Sequence, residues 1–227
     1  MCAQYIVDKS GKELARRFGA LYKLLGEAAG RVVPRSRAPV MVSEGGQRAL
    51  VAMQFGLVPA WSKEPRVKFA THNARLLSVD EKTKKEIPIH QKPTWREPFA
   101  RRHCLVPMSK FIEPLYTGPK AGNMVAFYPR GGDVMAAAGI WDEWVQKETG
   151  EMLTTFSVLT DEPVPYIARM GHDRTPVFLP ETAFDEWLNA SAKKPAEWIP
   201  YLRQHHPNID WTEDIDRPLA KGWEKKR

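Results

Sequence analysis

The strongest constraint on the fold is a series of short strand-like runs in the middle of the chain, with helical patterns confined to its two ends. Turn signals such as Gly131-Gly132-Asp133 separate several of these runs. Strands and helices do not alternate regularly, as they would in a sheet of parallel strands. The sequence therefore predicts an α+β fold, with a mostly antiparallel, barrel-like β core flanked by helices. The predicted strands are 49–56, 103–107, 123–128, 134–141 and 153–160.

The helical patterns begin near the N-terminus. Ser10 and Glu13 have the spacing of a capping box, and apolar residues follow at helical spacing as far as Leu25. We expect this helix to end at Gly26 or Gly30, where glycine interrupts the pattern. Further helices are predicted near 163–169, at 181–189 and at 195–205.

The chain reads as a single domain over residues 1–227, because no Pro/Gly-rich linker divides it. Residues 31–39 are rich in proline and arginine and are predicted to form a basic loop. The polar stretch 78–98 is predicted to be a surface flap, and the segment near 212–227 a frayed tail.

Composition excludes several classes of protein. Among 227 residues only Cys2 and Cys104 are cysteines, which excludes a disulfide framework and a cysteine-rich zinc site. The six histidines have no metal-ligand spacing, so we expect neither a metal nor a cofactor. No apolar run approaches the about 18 residues that cross a bilayer, and the N-terminus does not resemble a signal peptide. We therefore expect a cytoplasmic protein that does not bind membranes.

Positive charge is concentrated in one segment. The chain carries 34 Lys+Arg against 27 Asp+Glu, a net charge of +7, and residues 61–104 hold 11 of the bases and 5 of the acids, a net +6. A basic segment of this kind favours a polyanionic partner. Trp61 begins the segment and could stack on a nucleobase, although most tryptophans belong to the core. Cys104 is predicted to be a buried small apolar residue.

Cys2 would become the N-terminal residue if Met1 were removed. The new terminus would carry an amine and a thiol on adjacent carbons, with ordinary pKa values of about 8 and about 8.5. Such a 1,2-aminothiol condenses with an aldehyde to a Schiff base, and the thiol then closes a thiazolidine ring. Taken by position alone, Cys2 is more simply an ordinary residue near a terminus.

Four further residues are candidates for chemistry. His172 lies in a polar Gly-His-Asp-Arg-Thr-Pro cluster between a predicted helix and a strand, where a general acid or base would fit. Glu113 follows two apolar residues at the end of a strand-like run, and a buried carboxyl there would suit proton transfer. Asn73 and Arg75 could hold a phosphate or a sugar. Each also has a simpler interpretation, as a surface histidine, a solvated strand-end carboxylate, a turn residue or a surface charge.

The order of these elements resembles that of one family. The elements are, in chain order, Cys at position 2, Gly-Leu-Val-Pro-Ala-Trp61, Asn73-Ala-Arg, Arg-His-Cys104-Leu-Val-Pro with Glu113 nine residues after the cysteine, and Gly-His172-Asp-Arg-Thr-Pro. Together they are similar to the motifs of the SRAP family of abasic-site processing proteins. The similarity runs from Cys2 to about Trp187.

The resemblance implies an activity and roles for these residues. The family traps the ring-opened aldehyde of an abasic site in single-stranded DNA as a thiazolidine crosslink, and is described as removing its own initiator Met. By resemblance, Cys2 would be the nucleophile, Asn73 would hold the amine and the sugar, and Arg75 the backbone phosphate. His172 would help to open the sugar and move protons, and Glu113 would be the acid/base in Schiff-base formation and in reversal of the crosslink.

The implied partner is single-stranded DNA that contains abasic sites, bound by a monomer, with a nucleoid location in a bacterium or phage. The resemblance and the basic segment together give the expected DNA contacts, which are Arg75, Trp61, Arg35, Arg37, Pro39 and Lys68.

The chain departs from the family pattern at several positions. Ala3 and Gln4 replace the usual Gly-Arg, and Ser36 replaces an Asn in the loop before Pro39. Arg35 and Arg37 are expected to supply the phosphate contacts that these changes remove. Because all five chemical positions are present, we expect a divergent but active member.

Two other functions fit the sequence less well. A non-catalytic single-stranded DNA-binding protein of the same fold would bind intact and abasic strands equally, with a log–log salt slope of about −0.7 per phosphate contacted. An amidohydrolase with Cys2 as nucleophile and His172 as base would turn over a small amide and be indifferent to DNA.

Overall fold

Strands make up most of the regular secondary structure in a computed structural model that describes residues 4–24 and 30–226. The strands are β1 (Gln4–Val7), β2 (Leu21–Tyr22), β3 (Gly30–Val32), β4 (Arg37–Glu44), β5 (Gln47–Phe55), β6 (Asn73–Arg75), β7 (Leu77–Val79), β8 (Glu86–Pro88), β9 (His103–Met108), β10 (Lys110–Leu115), β11 (Asn123–Pro129), β12 (Met135–Val145), β13 (Met152–Asp161), β14 (Thr175–Pro176) and β15 (Trp211–Pro218). The α-helices are α1 (Gly11–Phe18), α2 (Arg96–Arg101), α3 (Pro165–Arg169), α4 (Phe184–Leu188) and α5 (Pro195–Gln204).

Five strands close into a barrel. β13, β12, β9, β4 and β5 pair antiparallel in that order, and β5 returns to β13 in a short parallel pairing. That closing pairing joins Gln54 to Thr155 and Phe55 to Phe156. The barrel confirms the prediction of an α+β fold with a mostly antiparallel, barrel-like β core. All five predicted strands are present.

A second sheet packs against the barrel. It has the order β15-β11-β10-β1-β3, with every pairing antiparallel. Tyr5 of β1 meets Phe55 of the barrel edge to face, with ring centroids 5.4 Å apart. The two edge strands of this sheet also approach one another, because Arg31 of β3 donates to Asp216 of β15 at 2.6 Å. The sheet is therefore curled, and the core lies between it and the barrel.

A long loop, residues 56–72, leaves the barrel between β5 and β6. Both of its ends are hydrogen-bonded to β13: Gly56 N donates to Phe156 O at 2.9 Å, and Val158 N donates to His72 O at 3.0 Å. β6 then continues along β13 where β5 stopped. The loop thus projects from one fixed point on the barrel wall.

Asp142 of β12 fixes the first part of this loop. Its buried carboxylate accepts from Ala60 N at 3.0 Å and pairs with Arg102 at 3.0 Å. Nearby, Trp144 Nε1 donates to Ser62 O at 2.8 Å. These contacts hold Trp61, the residue between the two bonded positions, on a rigid support.

The N-terminal helix is shorter than its apolar pattern predicts. The capping box of Ser10 and Glu13 is present as expected, but α1 ends at Phe18, and Gly19 adopts a left-handed conformation with φ 60°. Glycine adopts this conformation without steric cost, so the helix ends here, and the apolar residues that follow form β2 beside β5. Gly26, one of the two predicted end points, lies outside the described residues.

The helices predicted at 163–169, 181–189 and 195–205 are confirmed as α3, α4 and α5. None of the helices within the described ranges is long and apolar enough to cross a membrane.

Two segments predicted to be irregular are strands. Residues 31–39 contribute to β3 and β4, joined by a tight turn, so the prediction of a loop is wrong there. Residues 212–218 belong to β15, which pairs with β11, rather than to a frayed tail. Both were missed because β15 is a polar edge strand and because prolines interrupt the first segment. Pro39, although inside β4, does not prevent its pairing with β5.

The predicted flap is only partly a surface element. Strands β7 and β8 form a hairpin, and residues 81–85 of its turn are exposed. The rest of 78–98 does not behave as a flap, because Ile89 and Trp95 are buried in the core. Hydrophobic anchors at both positions return the chain to the barrel before β9.

His103 is a buried titratable residue of the core. Its ring stacks on Trp187 with centroids 3.6 Å apart, and its two nitrogens lie 2.7 Å from Trp187 O and 2.8 Å from Phe99 O. Burial lowers the pKa of His103 to about 4. In the unfolded chain the histidine side chain has its ordinary pKa of about 6.5 and gains a proton below it, whereas in the native state the same side chain stays neutral until about pH 4.

We predict that His103 makes folding sensitive to acid. As the pH falls from about 6.5 to about 4, the unfolded state gains a proton at this residue and the native state does not, which removes up to about 3 kcal/mol of stability. In urea titrations, the difference in unfolding free energy between the wild type and His103→Gln should shrink by this amount between pH 7 and pH 4. A difference that is constant with pH would contradict the prediction.

We also predict that Asp142 is required to hold the 56–72 loop. Asp142→Ala leaves the amide of Ala60 and the guanidinium of Arg102 without their buried partner, and should lower the unfolding free energy by about 2–4 kcal/mol. Asp210→Ala is the matched control, because the Asp210–Arg130 pair is exposed and its loss should cost about 1 kcal/mol or less. Equal losses in the two variants, measured by chemical denaturation, would refute the role of Asp142.

Candidate functional site

A buried carboxylate–imidazole pair lies between the two sheets. Glu113 occupies the middle of β10, opposite Val125 of β11, and not the end of a strand as the sequence suggested. His172 lies in the connection between α3 and β14. Its Nε2 is 3.3 Å from Glu113 Oε2, and the two side chains are 6% and 1% exposed. The structure thus brings together two of the predicted residues, in a place largely closed to water.

The ring of His172 is oriented by its own loop. Nδ1 lies 3.0 Å from Arg174 O, and the backbone N of His172 donates to Ile167 O at 3.2 Å. Arg174 N also donates to Nδ1 at 3.3 Å, so the loop holds this side of the ring and leaves Nε2 facing Glu113. An imidazole nitrogen that faces a carboxylate is an arrangement that general acid–base catalysis uses.

Asn73 stands on β6, paired in register with Val158 of β13. The oxygen and the nitrogen of its side-chain amide are both buried, and neither has a hydrogen-bond partner in the described part of the chain. Buried amides are nearly always hydrogen-bonded in folded proteins. The side chain is therefore available to a group that enters the site.

His72, next to Asn73, is a half-buried titratable residue. Its ring contacts Phe55 with centroids 5.8 Å apart. Burial lowers the pKa of His72 below its usual value, and the negative charge of Glu113 acts in the opposite direction. His72 also lines a cavity of about 740 Å³.

This cavity lies under the 56–72 loop and has a cationic wall. Arg35, Arg66 and Lys68 line it, and within the residues that the structure describes none of them has a carboxylate within 4.0 Å. Phe69 also lines it and is 51% exposed. Unpaired cations beside an exposed aromatic ring are typical of surfaces that bind single-stranded nucleic acid.

Arg35 has an unusual backbone conformation. Its φ is 73°, in the left-handed region that residues with a side chain rarely adopt. The turn is held by Arg35 N, which donates to Phe55 O at 2.7 Å, and by Ser36 Oγ, which donates to Val33 O at 2.7 Å. Ser36 therefore stabilises the turn that carries Arg35 to the cavity.

Arg75 follows Asn73 on the same strand. Its guanidinium is 3.2 Å from Glu162, and both side chains are substantially exposed. Its carbonyl accepts from Lys92 Nζ at 3.1 Å, and burial, together with the charge of Arg75, lowers the pKa of Lys92 to about 8. Because exposed ion pairs are weak, Arg75 can exchange Glu162 for another anion.

The remaining predicted residues are divided. Trp61 is 60% exposed, so it does not belong to the core. Arg37 is exposed and donates to Ala52 O at 2.9 Å, but Pro39 is buried in β4 and is not part of an exposed groove. Cys104 is fully buried, as predicted. Cys2 lies outside the described residues.

Sequence reasoning missed His72 and Phe69. Both lie within the basic segment, and His72 directly precedes the Asn-Ala-Arg motif. The cations Lys63, Arg66 and Lys68 between Trp61 and Phe69 were a usable signal for the second, whereas nothing in the sequence indicated that residue 72 would line the cavity. Among residues 4–24 and 30–226, no three His, Cys, Asp or Glu side chains form a group that could hold a metal ion.

Comparison with known proteins gives consistent matches. The chain is 27% identical over 164 residues to the abasic site processing protein YoqW of Bacillus subtilis, covering 72% of this chain and 68% of that protein. It is 25% identical over 202 residues to the abasic site processing protein HMCES of Gallus gallus, covering 75% of this chain and 56% of that one.

Solved structures share the fold. A crystal structure of a protein from Bacteroides thetaiotaomicron superposes with a TM-score of 0.75 at 23% identity, covering 95% of this chain and 92% of that one. A phage-related protein from Bordetella bronchiseptica gives a TM-score of 0.66 at 19% identity, with 97% and 95% covered. The family model described as SOS response associated peptidase (SRAP) matches residues 1–213. The chain therefore belongs to the SRAP family.

Proposed function

We propose that this protein processes abasic sites in single-stranded DNA, as a protein of DNA repair. Membership of the SRAP family supports the proposal, as do the relatives YoqW and HMCES, both named abasic site processing proteins. The observation that carries it is the buried Glu113–His172 pair, with 3.3 Å between Oε2 and Nε2, in a chain whose cavity under the 56–72 loop is lined by Arg35, Arg66 and Lys68. A cationic surface together with buried acid–base groups suits chemistry on a DNA backbone better than binding alone.

The proposed chemistry begins at Cys2 after removal of Met1, which we propose the protein carries out itself. The free amine of Cys2 adds to the aldehyde of the ring-opened abasic sugar, and loss of one water gives a Schiff base. The thiol sulfur then adds to the same carbon, and its proton passes to the nitrogen. The product is a five-membered thiazolidine that joins the protein covalently to DNA.

Each proton in this sequence needs a donor or an acceptor. Glu113 and His172 are close enough to share one, and their burial excludes competing water. His172 is proposed to assist opening of the sugar, and Glu113 to assist loss of water and, in reverse, opening of the thiazolidine. The buried amide of Asn73 is proposed to hold the amine and the sugar.

The 56–72 loop supplies the proposed grip on DNA. Cations along it and beside it, Arg35, Lys68 and Arg75 among them, are proposed to contact phosphates. Trp61 and Phe69 are exposed on a loop that is hydrogen-bonded to the barrel, and aromatic residues in this setting stack with unpaired bases. Arg37 is proposed to extend the basic surface from the neighbouring turn.

We predict that the wild type forms a heat-stable adduct with an oligonucleotide that contains an abasic site and that Cys2→Ala does not. A denaturing gel detects the adduct as a shifted band, and intact mass first verifies that Met1 is absent. Binding of an intact oligonucleotide should be the same in both proteins. A salt-sensitive complex without a heat-stable band would instead support a non-catalytic DNA-binding protein. Turnover of a small amide without any response to DNA would support an amidohydrolase.

We predict that Glu113→Gln slows reversal of a preformed crosslink more than it slows formation. The variant keeps the shape of the side chain but removes a carboxylate that can take and return a proton, an effect of about 10²-fold or more on the step that depends on it. Reversal is followed by transfer of the label to fresh abasic DNA, and formation by gel time courses. Equal effects on both rates would overturn the assignment.

A further inference from the structure

Glu113 and His172 belong to segments that are far apart in the chain. Glu113 is on β10 of the curled sheet, and His172 follows α3, in the connection to β14. Nε2 of His172 and Oε2 of Glu113 are 3.3 Å apart, so a small separation of the two segments would take these atoms out of direct contact. Something must therefore hold one segment against the other.

The loop that follows β10 reaches the segment that carries His172. Gly122 N donates to Leu115 O at 2.8 Å and closes this loop. At its tip, Thr117 Oγ1 donates to Gly171 O at 3.1 Å, directly before His172. The segment of Glu113 is thus connected to the segment of His172 a few residues from both side chains.

At this connection the backbone around Gly118 is in close contact with the backbone around Gly171. A Cβ atom at Gly118 would lie 2.8 Å from the carbonyl carbon of Met170 and nearer still to its oxygen. A Cβ atom at Gly171 would lie 2.6 Å from the carbonyl carbon of Thr117, again with the oxygen nearer. Both glycines also have positive φ, 82° and 93°. Each glycine therefore makes room for the chain that carries the other.

We propose that this reciprocal contact of Gly118 and Gly171, here called the glycine clamp, sets the distance between Glu113 and His172. Carbon atoms in ordinary contact are about 3.5–4.0 Å apart, so one methyl group on either glycine forces the two chains apart by roughly 1 Å. That displacement is enough to take Nε2 of His172 out of reach of Glu113. Gly118 and Gly171 are positioning residues, since neither touches the reacting atoms.

The inference rests on the proposed function for its kinetic test. Gly118→Ala and Gly171→Ala should lower the saturating rate of crosslink formation by about 10–100-fold, because misplacement of a catalytic group by about 1 Å has effects of this size. The DNA concentration at half saturation should change less than about twofold, since these substitutions do not alter the 56–72 loop or the cavity beneath it. A change confined to the half-saturating concentration would overturn the proposal.

The chain offers matched controls for backbone strain. Gly132 and Gly131 have φ of 74° and 108°, close to those of Gly118 and Gly171, but a Cβ atom at either position meets nothing within 4 Å. Gly132→Ala and Gly131→Ala therefore carry the same conformational penalty without the clash. They should keep the wild-type saturating rate, and an equal fall in these controls would show that strain and not the clamp is responsible.

A second readout separates the clamp from the proposed function. Diethyl pyrocarbonate modifies accessible imidazoles, and peptide mass mapping gives the rate at each histidine. His172, whose side chain is 6% exposed, should react slowly in the wild type and in the controls, and several-fold faster in the clamp variants. If the wild type forms no crosslink, the proposed function fails, yet this labelling still decides on the clamp. Unchanged labelling of His172 in Gly118→Ala would refute it.

Where Gly118→Ala does not fold, Thr117→Val provides the test. It removes the hydrogen bond to Gly171 O and keeps the branched shape of the side chain. The expected result is faster labelling of His172 and a smaller fall in the saturating rate, while Thr117→Ser, which keeps the hydroxyl, should behave as the wild type. Identical behaviour of Thr117→Val and Thr117→Ser would contradict the clamp.

Discussion

The structure depends on how β13 shares one of its edges between two strands. β5 pairs with β13 at two positions only, and this short parallel pairing closes the barrel. β6 takes over the same edge at Val158. Both ends of the 56–72 loop are hydrogen-bonded to neighbouring positions of β13. The position of the loop on the barrel is therefore fixed, although the loop carries exposed aromatic and basic residues. The same edge of β13 fixes His72, which lines the cavity, and Asn73, whose side-chain amide is buried, at the start of β6.

The interior of the candidate site contains buried polar and ionisable side chains, which are rare in protein cores. A buried carboxylate costs several kcal/mol unless it is paired, and an apolar residue at position 113 would be cheaper for folding. The chain nevertheless places Glu113 between two sheets, next to His172, and leaves the amide of Asn73 without a hydrogen-bond partner in the described ranges. Departures of this kind from local consistency concentrate at functional sites. His103 shows the contrast, since it is buried against Trp187 and Trp198 with both nitrogens near carbonyl oxygens, and serves packing alone.

Much of the fold could be predicted from periodicity and turn signals, and the failures have physical causes. The central strands carry continuous apolar runs because both of their faces are buried, whereas β15 carries acids and bases because it lies at an edge. The apolar pattern after Ser10 continued beyond α1, but Gly19 ended the helix and the next residues joined β5 as a strand. Periodicity predicts which face of a helix or strand is buried, but it does not predict which other element packs against that face.

The sequence by itself determined the family resemblance, the basic segment and the candidates Asn73, Arg75, Glu113 and His172, because these depend only on residue type and order. Only the tertiary structure decided which of them meet. It brought Glu113 of β10 to His172 in the connection between α3 and β14, exposed Trp61, buried Pro39 and placed His72 and Phe69 at the wall of the cavity. The physical reason is that distances between segments depend on strand register and on close backbone contacts such as that of Gly118 with Gly171, which no local pattern encodes.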